Sequence, residues 1–388
     1  MEKYILVHYH EIGLKGKNRR FFEDKLKESL KEALFGLEYD SVERIFGRII
    51  IKLLDKSDFK RMKERIKNVF GVANFSLSYS VKPDIEKIQV VAGELMKQRK
   101  PRSFKVETKR AWKEFPLISP EISSKVGSYL RAKTKVKVDV KNPDVICFIE
   151  IADPKRAFVY LDKIKGLGGL PVSTGGRAVA LLSGGIDSPV ACFLTLKRGV
   201  SVVFVHFHSY PQTPKASQEK AASLAKLLTQ YQFKSKLYLV PFLNIQKEII
   251  TKCPAKFRVI LYRRFMFRIA EEIAKKERAK ALVTGESIGQ VASQTIENIG
   301  VIEEAIGLSV FRPLIGTDKE EIIDLAKKIK SFEISILPHQ DCCSLFIPKH
   351  PATKASLAKV KEAEAKLNIK KLTNKALRSA EIKTFSYD

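Results

Sequence analysis

Residues 178–192 constrain the fold more than any other part of the chain, because they combine an apolar strand, a glycine turn and a helix start. The first residues, Ala-Val-Ala-Leu-Leu, are a continuous apolar run, typical of a parallel strand covered on both faces. Gly184 and Gly185 then allow a sharp turn and a close approach to a ligand. Asp187 or Ser188 is expected to cap the helix that follows, whose unpaired N–H groups would face an anion. The stretch therefore predicts a nucleotide phosphate site.

The string Ser-Gly-Gly-x-Asp-Ser at 183–188 is too specific for an ordinary strand-to-helix turn. Its five fixed residues would occur by chance in about one in a thousand chains of this length. It has neither the lysine of the usual P-loop nor the third glycine of the dinucleotide fingerprint. It resembles the PP-loop of the ATP pyrophosphatase family. That resemblance implies cleavage of ATP between its α and β phosphates, with AMP placed on a carbonyl oxygen of the substrate.

The charge balance indicates a polyanionic partner. The 388 residues include 71 lysines and arginines against 43 aspartates and glutamates, a formal charge of +28. Residues 1–174 hold 37 basic and 23 acidic side chains, so the excess is spread along the chain and not gathered in a tail. A thermophile-type surface would explain part of the lysine count but not the imbalance of sign. We expect a polyanionic partner whose binding weakens steeply with salt.

The sequence predicts neither membrane insertion nor export. It has no apolar run near the ~20 residues of a membrane helix, and its N-terminus leads directly into a strand. Five cysteines, an odd and mostly scattered set, do not form a disulfide framework. We expect a soluble, cytoplasmic protein.

The first 80 residues predict a small α+β domain. Strands at 4–9, 42–53 and 73–81 alternate with helices at 18–35 and 58–69, an order consistent with a ferredoxin-like fold. The first helix should bury Phe21, Phe22, Leu26, Leu30 and Leu34. The loop before it carries cations that are candidates for contacts with a nucleic-acid backbone phosphate, Lys15, Lys17 and Arg19.

Residues 81–165 form a second predicted unit, with a helix at 85–97 and strands from 103 onward. Its candidate nucleic-acid contacts are Arg102, Lys105, Lys109 and Arg110, interleaved with Phe104, Trp112 and Phe115. Cations position a phosphate backbone while aromatic rings stack on unpaired ends; the alternative is a solvated edge strand with core aromatics. Phe-Lys-Val-Glu-Thr-Lys-Arg, Val-Asp-Val-Lys-Asn-Pro-Asp and Ile-Glu-Ile resemble a THUMP domain, which implies binding of the tRNA acceptor end.

Alternating strands and helices after residue 177 predict an α/β domain built on a doubly wound parallel sheet. The second strand ends in His206-Phe-His208. Residues at the carboxyl end of such a strand, beside the switch point, should meet the nucleotide base. Metal ligation by the two histidines is the competing interpretation.

Two further strings extend the resemblance over essentially the whole chain. Gly-Glu-Ser-Ile-Gly-Gln-Val-Ala-Ser-Gln-Thr at 285–295 and Arg-Pro-Leu-Ile-Gly-Thr-Asp-Lys-Glu-Glu-Ile at 312–322 resemble the tRNA 4-thiouridine synthetases, also called tRNA sulfurtransferases. One departure is His8-Tyr-His-Glu11, where that family usually has Arg-Tyr-Gly-Glu. The implied domains are a ferredoxin-like domain at 1–80, a THUMP domain at 81–165, a linker at 166–176 and a PP-loop domain at 177–388.

The resemblance also implies the site residues. Asp187 would lie at the Mg²⁺ and pyrophosphate region, and Lys319 would add a cation. Lys319 has a second interpretation, because Thr317-Asp-Lys-Glu320 is a capping box that would leave it in an exposed first turn. The implied ATP-binding residues are Leu181, Leu182, Ser183, Gly184, Gly185, Asp187, Ser188, His206, Phe207, Arg263, Gly285 and Gln294.

Cys342 and Cys343 are the candidate groups for sulfur chemistry, because thiolates at accessible, basic positions are nucleophiles. Cys343 falls where the family has its sulfur-transfer cysteine. Longer members carry a rhodanese domain whose cysteine bears the persulfide, and we expect none here. Either Cys342 acts as partner thiol, or a cysteine desulfurase hands over its persulfide and another thiol resolves the disulfide.

The implied reaction draws uridine 8 of tRNA out of its stack, adenylates it at O4 and attacks C4 with persulfide sulfur, giving 4-thiouridine. The resemblance also implies sulfur transfer to a carrier protein in thiamine thiazole synthesis, and a homodimer would let one tRNA touch two subunits. The alternatives are another PP-loop tRNA-modifying enzyme of the 2-thiolation or lysidine type, a small-molecule ATP pyrophosphatase and a non-catalytic tRNA-binding module.

Overall fold

The computed structural model describes residues 1–45, 47–338, 346, 348 and 350–387. Contacts within the chain divide it into two compact units, Met1–Pro171 and Val172–Asp388. We call them the N-terminal unit and the C-terminal unit. None of the described helices is long and apolar enough to cross a membrane.

The first half of the N-terminal unit has the βαββαβ order of a ferredoxin-like fold. Its elements are β1 Glu2–His8, α1 Arg19–Ala33, β2 Ser41–Ile45, β3 Arg48–Lys52, α2 Phe59–Ile66 and β4 Asn74–Val81. The single strand predicted at 42–53 is wrong, because β2 and β3 form an antiparallel hairpin. The hairpin reverses at Gly47, whose φ of +72° lies in the region that glycine adopts without strain.

Helix α1 packs one side on the sheet, and there the predicted inner face needs a correction. Its two leucines are fully buried, but Phe21 is 48% exposed and Glu23 is buried instead. Burial of a carboxylate is tolerated when hydrogen-bond donors surround it. Tyr9, Arg19 and Arg44 all donate to Glu23.

The second half of the N-terminal unit extends the same sheet. Its elements are α3 Ile85–Arg99, β5 Ser103–Arg110, α4 Ser119–Thr134, β6 Lys137–Val138, β7 Val145–Asp153, β8 Arg156–Tyr160 and β9 Ile164–Lys165. Strand β4 pairs with β8, so the sheet order is β2-β3-β1-β4-β8-β7-β5-β6, with β9 also on β4. Helices α3 and α4 cover one face over a core that includes Ile88, Phe104 and Val126.

The sheet of the N-terminal unit curls so that its two halves face each other. In a flat sheet, β3 and β7 would lie about 19 Å apart, since four spacings of ~4.8 Å separate them. Arg48 on β3 nevertheless forms an ion pair with Glu150 on β7. Tyr4 on β1 also meets Phe158 on β8 edge to face, with ring centroids 5.6 Å apart. The face opposite the helices is therefore buried against itself.

The end of the N-terminal unit lies along the start of β4. The backbone N–H of Gly166 donates to the carbonyl of Ala73 at 3.0 Å, and that of Gly168 to the carbonyl of Val72 at 2.8 Å. A Cβ at Gly166 would stand 2.3 Å from the Val72 carbonyl oxygen, so only glycine fits there. The first residues of the predicted linker belong to this unit, and the predicted domain borders at 80, 165 and 176 stay predictions.

The C-terminal unit is a six-stranded sheet with helices on both faces, which confirms the predicted doubly wound α/β fold. Its strands are β10 Arg177–Leu181, β11 Ser201–His208, β12 Lys234–Pro241, β13 Ala281–Val283, β14 Ser309–Phe311 and β15 Glu381–Ser386. The order is β14-β13-β10-β11-β12-β15, parallel except for β15. The chain adds β11 and β12 on one side of β10 and β13 and β14 on the other. The switch point therefore lies at the carboxyl ends of β10 and β13.

The helices of the C-terminal unit connect these strands and close the sheet. They are α5 Asp187–Lys197, α6 Ala216–Thr229, α7 Leu243–Lys252, α8 Arg258–Lys276, α9 Ile296–Glu303, α10 Lys319–Lys328, α11 Phe332–Ser335, α12 Leu357–Glu364 and α13 Ile369–Arg378. Arg264 of α8, 1% exposed, and Arg268 both donate to Glu364 of α12. This buried network attaches the last helices to the core.

Candidate active site

The PP-loop string forms a compact turn between β10 and α5, held by one serine hydroxyl. The Ser188 hydroxyl accepts from the backbone N–H of Ser183 at 3.0 Å and donates to the Ser183 carbonyl at 3.2 Å. Helix α5 begins at Asp187, with Ile186 as its N-cap residue. The predicted capping by Asp187 or Ser188 is therefore wrong. The Ser188 side chain bonds to Ser183 in the loop, and the Asp187 side chain contacts Lys319 and Gln290 on the opposite wall. The first N–H groups of α5 remain available for an anion.

The Asp187 carboxylate is held from both sides. Lys319 Nζ lies 2.5 Å from Oδ1, and Gln290 Nε2 donates to Oδ2 at 3.1 Å. Lys319 is the first residue of α10, whose capping box is formed by Asp318 and Glu321. The box predicted at 317–320 was thus one residue early, and the capping interactions do not involve the Lys319 side chain. Gln290 lies within the string at 285–295, but nothing in that string distinguishes it as a site residue.

A cavity of about 490 Å³ opens at the switch point. Its volume lies within the range that is usual for small-molecule binding sites. All of the residues predicted to bind ATP line it except Gly184 and Gly185, which lie in the turn beside it. The remaining lining residues were not predicted from the sequence. They are Val205, Val259, Met266, Thr284, Glu286, Val291, Ala292, Ser293 and Pro351.

Gly285 is required by the close approach of β13 to the PP-loop. A Cβ at this position would stand 2.8 Å from the backbone nitrogen of Ser188 and 2.9 Å from the carbonyl carbon of Asp187. Side-chain atoms cannot occupy such a gap next to backbone. The glycine therefore lets two walls of the cavity meet.

Glu286 is a buried anchor that the sequence analysis missed. Its Oε1 lies 2.5 Å from Arg263 Nη2, and its Oε2 accepts from Arg312 Nε and Thr284 Oγ1, both at 2.9 Å. Burial by itself would raise the pKa of Glu286, but the charges of Arg263 and Arg312 more than offset it and lower the pKa. The carboxylate is therefore ionised and orients Arg263, which lines the cavity. Its only sequence signal was its place beside Gly285.

His206 lies at the carboxyl end of β11, 1% exposed, where its ring lines the cavity. Its Nδ1 lies 2.9 Å from the Leu182 carbonyl, which can only accept, so Nδ1 carries the proton and donates. The carbonyl thereby sets the orientation of the ring. Burial, and then the charge of His206, lowers the pKa of His208 to about 4, so His208 is neutral near pH 7.

Cys342 and Cys343 lie outside the described residues. The other cysteines, Cys147, Cys192 and Cys253, are buried. Burial raises the pKa of the Cys147 thiol to about 12, which suits packing and not nucleophilic attack.

The cations predicted near the N-terminus differ in their surroundings. Lys17 is exposed, while Lys15 Nζ lies 5.0 Å from the centroid of the Phe22 ring. Arg19 Nε donates to Glu23 at 2.8 Å and its Nη2 donates to the Tyr9 hydroxyl at 2.8 Å. Arg19 therefore supports the buried Tyr9–Glu23 pair and keeps only part of its guanidinium exposed.

The cations of β5 divide between two faces of the sheet. Lys105 and Lys109 are four residues apart on one face, whereas Arg110 points to the other. Arg110 Nη1 donates to the carbonyls of Phe115 and Leu117, both at 2.8 Å, and so shapes the loop after β5. The side chain of Arg102 is exposed in the turn before the strand.

The aromatic residues of this stretch belong to the core. Phe104 is 0% and Phe115 7% exposed, and Trp112 packs against Phe115 with ring centroids 5.9 Å apart. The expected stacking of Phe104 and Phe115 on unpaired bases is therefore wrong. Alternation along β5 had left both interpretations open, and the packing of α3 and α4 decides between them.

His8, the departure noted in the sequence, has a structural partner in the N-terminal unit. Its Nε2 lies 2.8 Å from Glu150, which Arg48 and Tyr160 also contact. Burial would raise the pKa of Glu150, but the hydrogen bonds and charges of these neighbours lower the pKa to about 2. His8 therefore helps to keep a carboxylate ionised between the two halves of the curled sheet.

Comparison with known proteins places three family models along the chain. They are the ThiI ferredoxin-like domain at residues 4–76, the THUMP domain at 82–162 and the thiamine biosynthesis protein ThiI at 173–369.

The chain is also similar to proteins over its full length. A probable tRNA sulfurtransferase of a Thermoanaerobacter species is 49% identical, covering 96% of this chain and 97% of its own. A probable tRNA sulfurtransferase of Thermus thermophilus is 42% identical, covering 100% and 95%. A crystal structure of a 4-thiouridine synthetase–RNA complex with bound ATP matches with a TM-score of 0.90 at 38% identity, over 99% of this chain and 100% of that one.

Proposed function

The chain belongs to the tRNA sulfurtransferase (ThiI) family, and from that premise we propose that it converts uridine 8 of tRNA to 4-thiouridine in an ATP-dependent reaction. The observation that carries the proposal is the PP-loop at the switch point, with the Asp187–Lys319 pair beside a cavity of about 490 Å³. The related 4-thiouridine synthetase that was crystallised with RNA and ATP supports both the substrate class and the nucleotide.

The proposed first step is adenylation. The N–H groups at the start of α5 and residues 183–188 bind the phosphates, and Arg263 and His206 line the remainder of the cavity. Uridine O4 attacks the α-phosphorus of ATP while N3 of the ring loses its proton to solvent, the bond to the bridging oxygen breaks, and pyrophosphate leaves. Lys319 offsets negative charge on the leaving group.

Mg²⁺ fits this arrangement with Asp187 as its protein ligand. Magnesium is commonly bound by one or two carboxylates together with substrate phosphate oxygens and water. A carboxylate has about four lone-pair positions, so the contacts of Asp187 with Lys319 and Gln290 leave acceptor capacity. The ion would neutralise charge on the departing pyrophosphate.

The proposed second step is sulfur transfer through Cys343. The terminal sulfur of a Cys343 persulfide attacks C4, the C4–O4 bond breaks, and AMP leaves with O4. A second thiolate, from Cys342 or an external thiol, then attacks the Cys343 sulfur. That S–S bond breaks, its electron pair stays on the thiouridine sulfur, and N3 takes up a proton from solvent. Cys343 is left in a disulfide with the attacking thiol, and a thiol reductant reduces that disulfide.

The N-terminal unit is proposed to hold the tRNA, with a ferredoxin-like domain at 1–80 and a THUMP domain at 81–165. Exposed Lys17, Arg102 and Lys109 are suited to the phosphate backbone. Within the same proposal, a cysteine desulfurase supplies the persulfide and a thiamine-pathway carrier protein is a second sulfur acceptor. A homodimer would present two subunits to one tRNA.

The test is mass spectrometry of nucleosides from unmodified tRNA incubated with the protein, Mg-ATP, a persulfide donor and a thiol reductant. We expect 4-thiouridine at position 8, lost in Asp187→Ala and retained in Asp324→Ala, an exposed carboxylate on α10. A 2-thiouridine or lysidine product would replace the proposal by the corresponding PP-loop modification. Tight tRNA binding with no modified base would favour a non-catalytic binding module.

A further inference from the structure

A buried lysine connects α6 to the segment that leads to the cysteine pair. Lys220 is 5% exposed. Its Nζ donates to the carbonyl of Ser335 at 2.6 Å and to the carbonyl of Leu337 at 2.7 Å. Ser335 is the last residue of α11, and Leu337 lies two residues beyond it. The other lysine of α6, Lys226, is exposed.

Charge and burial make this connection stiff. An ammonium group removed from water must keep its donors satisfied by acceptors of the protein, because an unpaired buried charge is strongly unfavourable. Hydrogen bonds from a charged donor are also stronger than neutral ones. The carbonyls of Ser335 and Leu337 are therefore held at a set distance from α6.

The same short segment also touches the PP-loop. The Ser335 hydroxyl, in a residue 6% exposed, donates to the Gly185 carbonyl at 3.3 Å. Residues 335–337 are thus attached to both the phosphate-binding turn and α6. In the sequence, Cys343 follows Leu337 by six residues, a length that spans at most about 20 Å of extended chain. The anchored segment limits where the thiol can reach relative to the PP-loop.

We propose that Lys220 is a positioning residue for the sulfur-transfer step, acting through the backbone of residues 335–337, and that it has no part in adenylation. The inference rests on the proposed function, because it takes Cys343 as the sulfur carrier. Lys220 differs in this from Asp187 and Lys319, whose loss should impair the first step.

The test compares full-length Lys220→Met with Lys226→Met as the matched control, in three assays. The first is tRNA-dependent exchange of pyrophosphate into ATP, which reports adenylation. The second is the initial rate of 4-thiouridine formation with a cysteine desulfurase and cysteine as the persulfide source. The third is the same rate with millimolar hydrosulfide, a small nucleophile that can attack C4 without the cysteine.

We expect Lys220→Met to retain exchange and the hydrosulfide rate within about 3-fold, and to lose about 10- to 100-fold of the persulfide-dependent rate. Lys220→Arg, which keeps a charged donor, should recover part of it. Equal losses in all three assays would overturn the inference in favour of a general structural role. An unchanged persulfide-dependent rate would overturn it directly.

Lys220→Gln keeps the test decisive if Lys220→Met does not fold. It removes the charge but keeps an N–H donor near the two carbonyls, and we expect about a 3- to 10-fold loss confined to the persulfide-dependent assay. Wild-type-like rates for Lys220→Gln would then overturn the inference. Failure of the proposed function has a different signature, because the wild-type protein would then form no 4-thiouridine with either sulfur source.

Discussion

Replacing Glu286 by glutamine should destabilise the C-terminal unit and weaken ATP binding together. The carboxylate is 2% exposed and accepts from Arg263, Arg312 and Thr284. A glutamine keeps one acceptor oxygen and turns an NH₂ donor toward one of the arginines. One charge-assisted bond, worth about 1.5–3 kcal/mol, is lost, and leaving its buried partner unsatisfied costs about 1–3 kcal/mol more. The sum agrees with the ~3–5 kcal/mol typical of breaking a buried ion pair.

Thermal unfolding followed by calorimetry measures the first effect. At about 2–4 °C per kcal/mol for a unit of this size, Tm of the C-terminal unit should fall by roughly 6–20 °C. Because Arg263 lines the cavity, KM for ATP should rise about 10-fold, equivalent to about 1.4 kcal/mol.

Glu303→Gln is the matched control, because Glu303 binds the same Arg312 at 2.7 Å but is 40% exposed, and its loss should cost less than about 1 kcal/mol. A Tm change in Glu286→Gln no larger than in this control, with KM unchanged, would refute the reasoning.

Two further predictions concern charged groups in the two units. Lys319→Met should lower activity by about 100-fold without lowering Tm, because its 44% exposed side chain contacts Asp187 and takes no part in the helix cap; Lys328→Met on the same helix should leave the rate unchanged. Glu150, with its pKa lowered from 4.5 to about 2, should stabilise the N-terminal unit by about 3 kcal/mol above pH 4.5, a contribution lost as pH falls toward 2. Glu150→Gln should therefore lower Tm at pH 7, and a Tm deficit that persisted undiminished at pH 2 would contradict the linkage.

Local sequence predicted the strands and helices where one interaction pattern dominated. The apolar run before the PP-loop and the alternation of strands and helices after it were enough for the doubly wound sheet. Prediction failed where a charge interrupted the pattern. The hairpin at 41–52 was predicted as one strand because strand-forming residues continue on both sides of Gly47 with almost no interruption. Glu23 was predicted to be exposed because two of its three donors, Tyr9 and Arg44, lie outside its helix.

The candidate site shows the same division. Resemblance selected ten of the nineteen residues around the cavity, and nearly all of these ten lie within a recognisable string. Glu286 and Gln290 lie in such a string too, but their roles depend on hydrogen bonds with Arg312 and Asp187, which are far away in sequence. Nothing in the sequence indicated that Lys220 is buried, because a lysine on an amphipathic helix is normally solvated.

The sequence by itself determined the local geometry: a glycine turn whose N–H groups face an anion, strands with apolar runs, and an excess of positive charge suited to RNA. Only the tertiary structure decided which charges meet. It brings Lys319 to Asp187, Arg312 to Glu286, Arg48 to Glu150, and Lys220 to the backbone of Ser335. These pairs depend on the order and curl of the sheets, which distant parts of the chain set together. Burial then strengthens the last three of these contacts, because removal from water makes an unpaired charge costly.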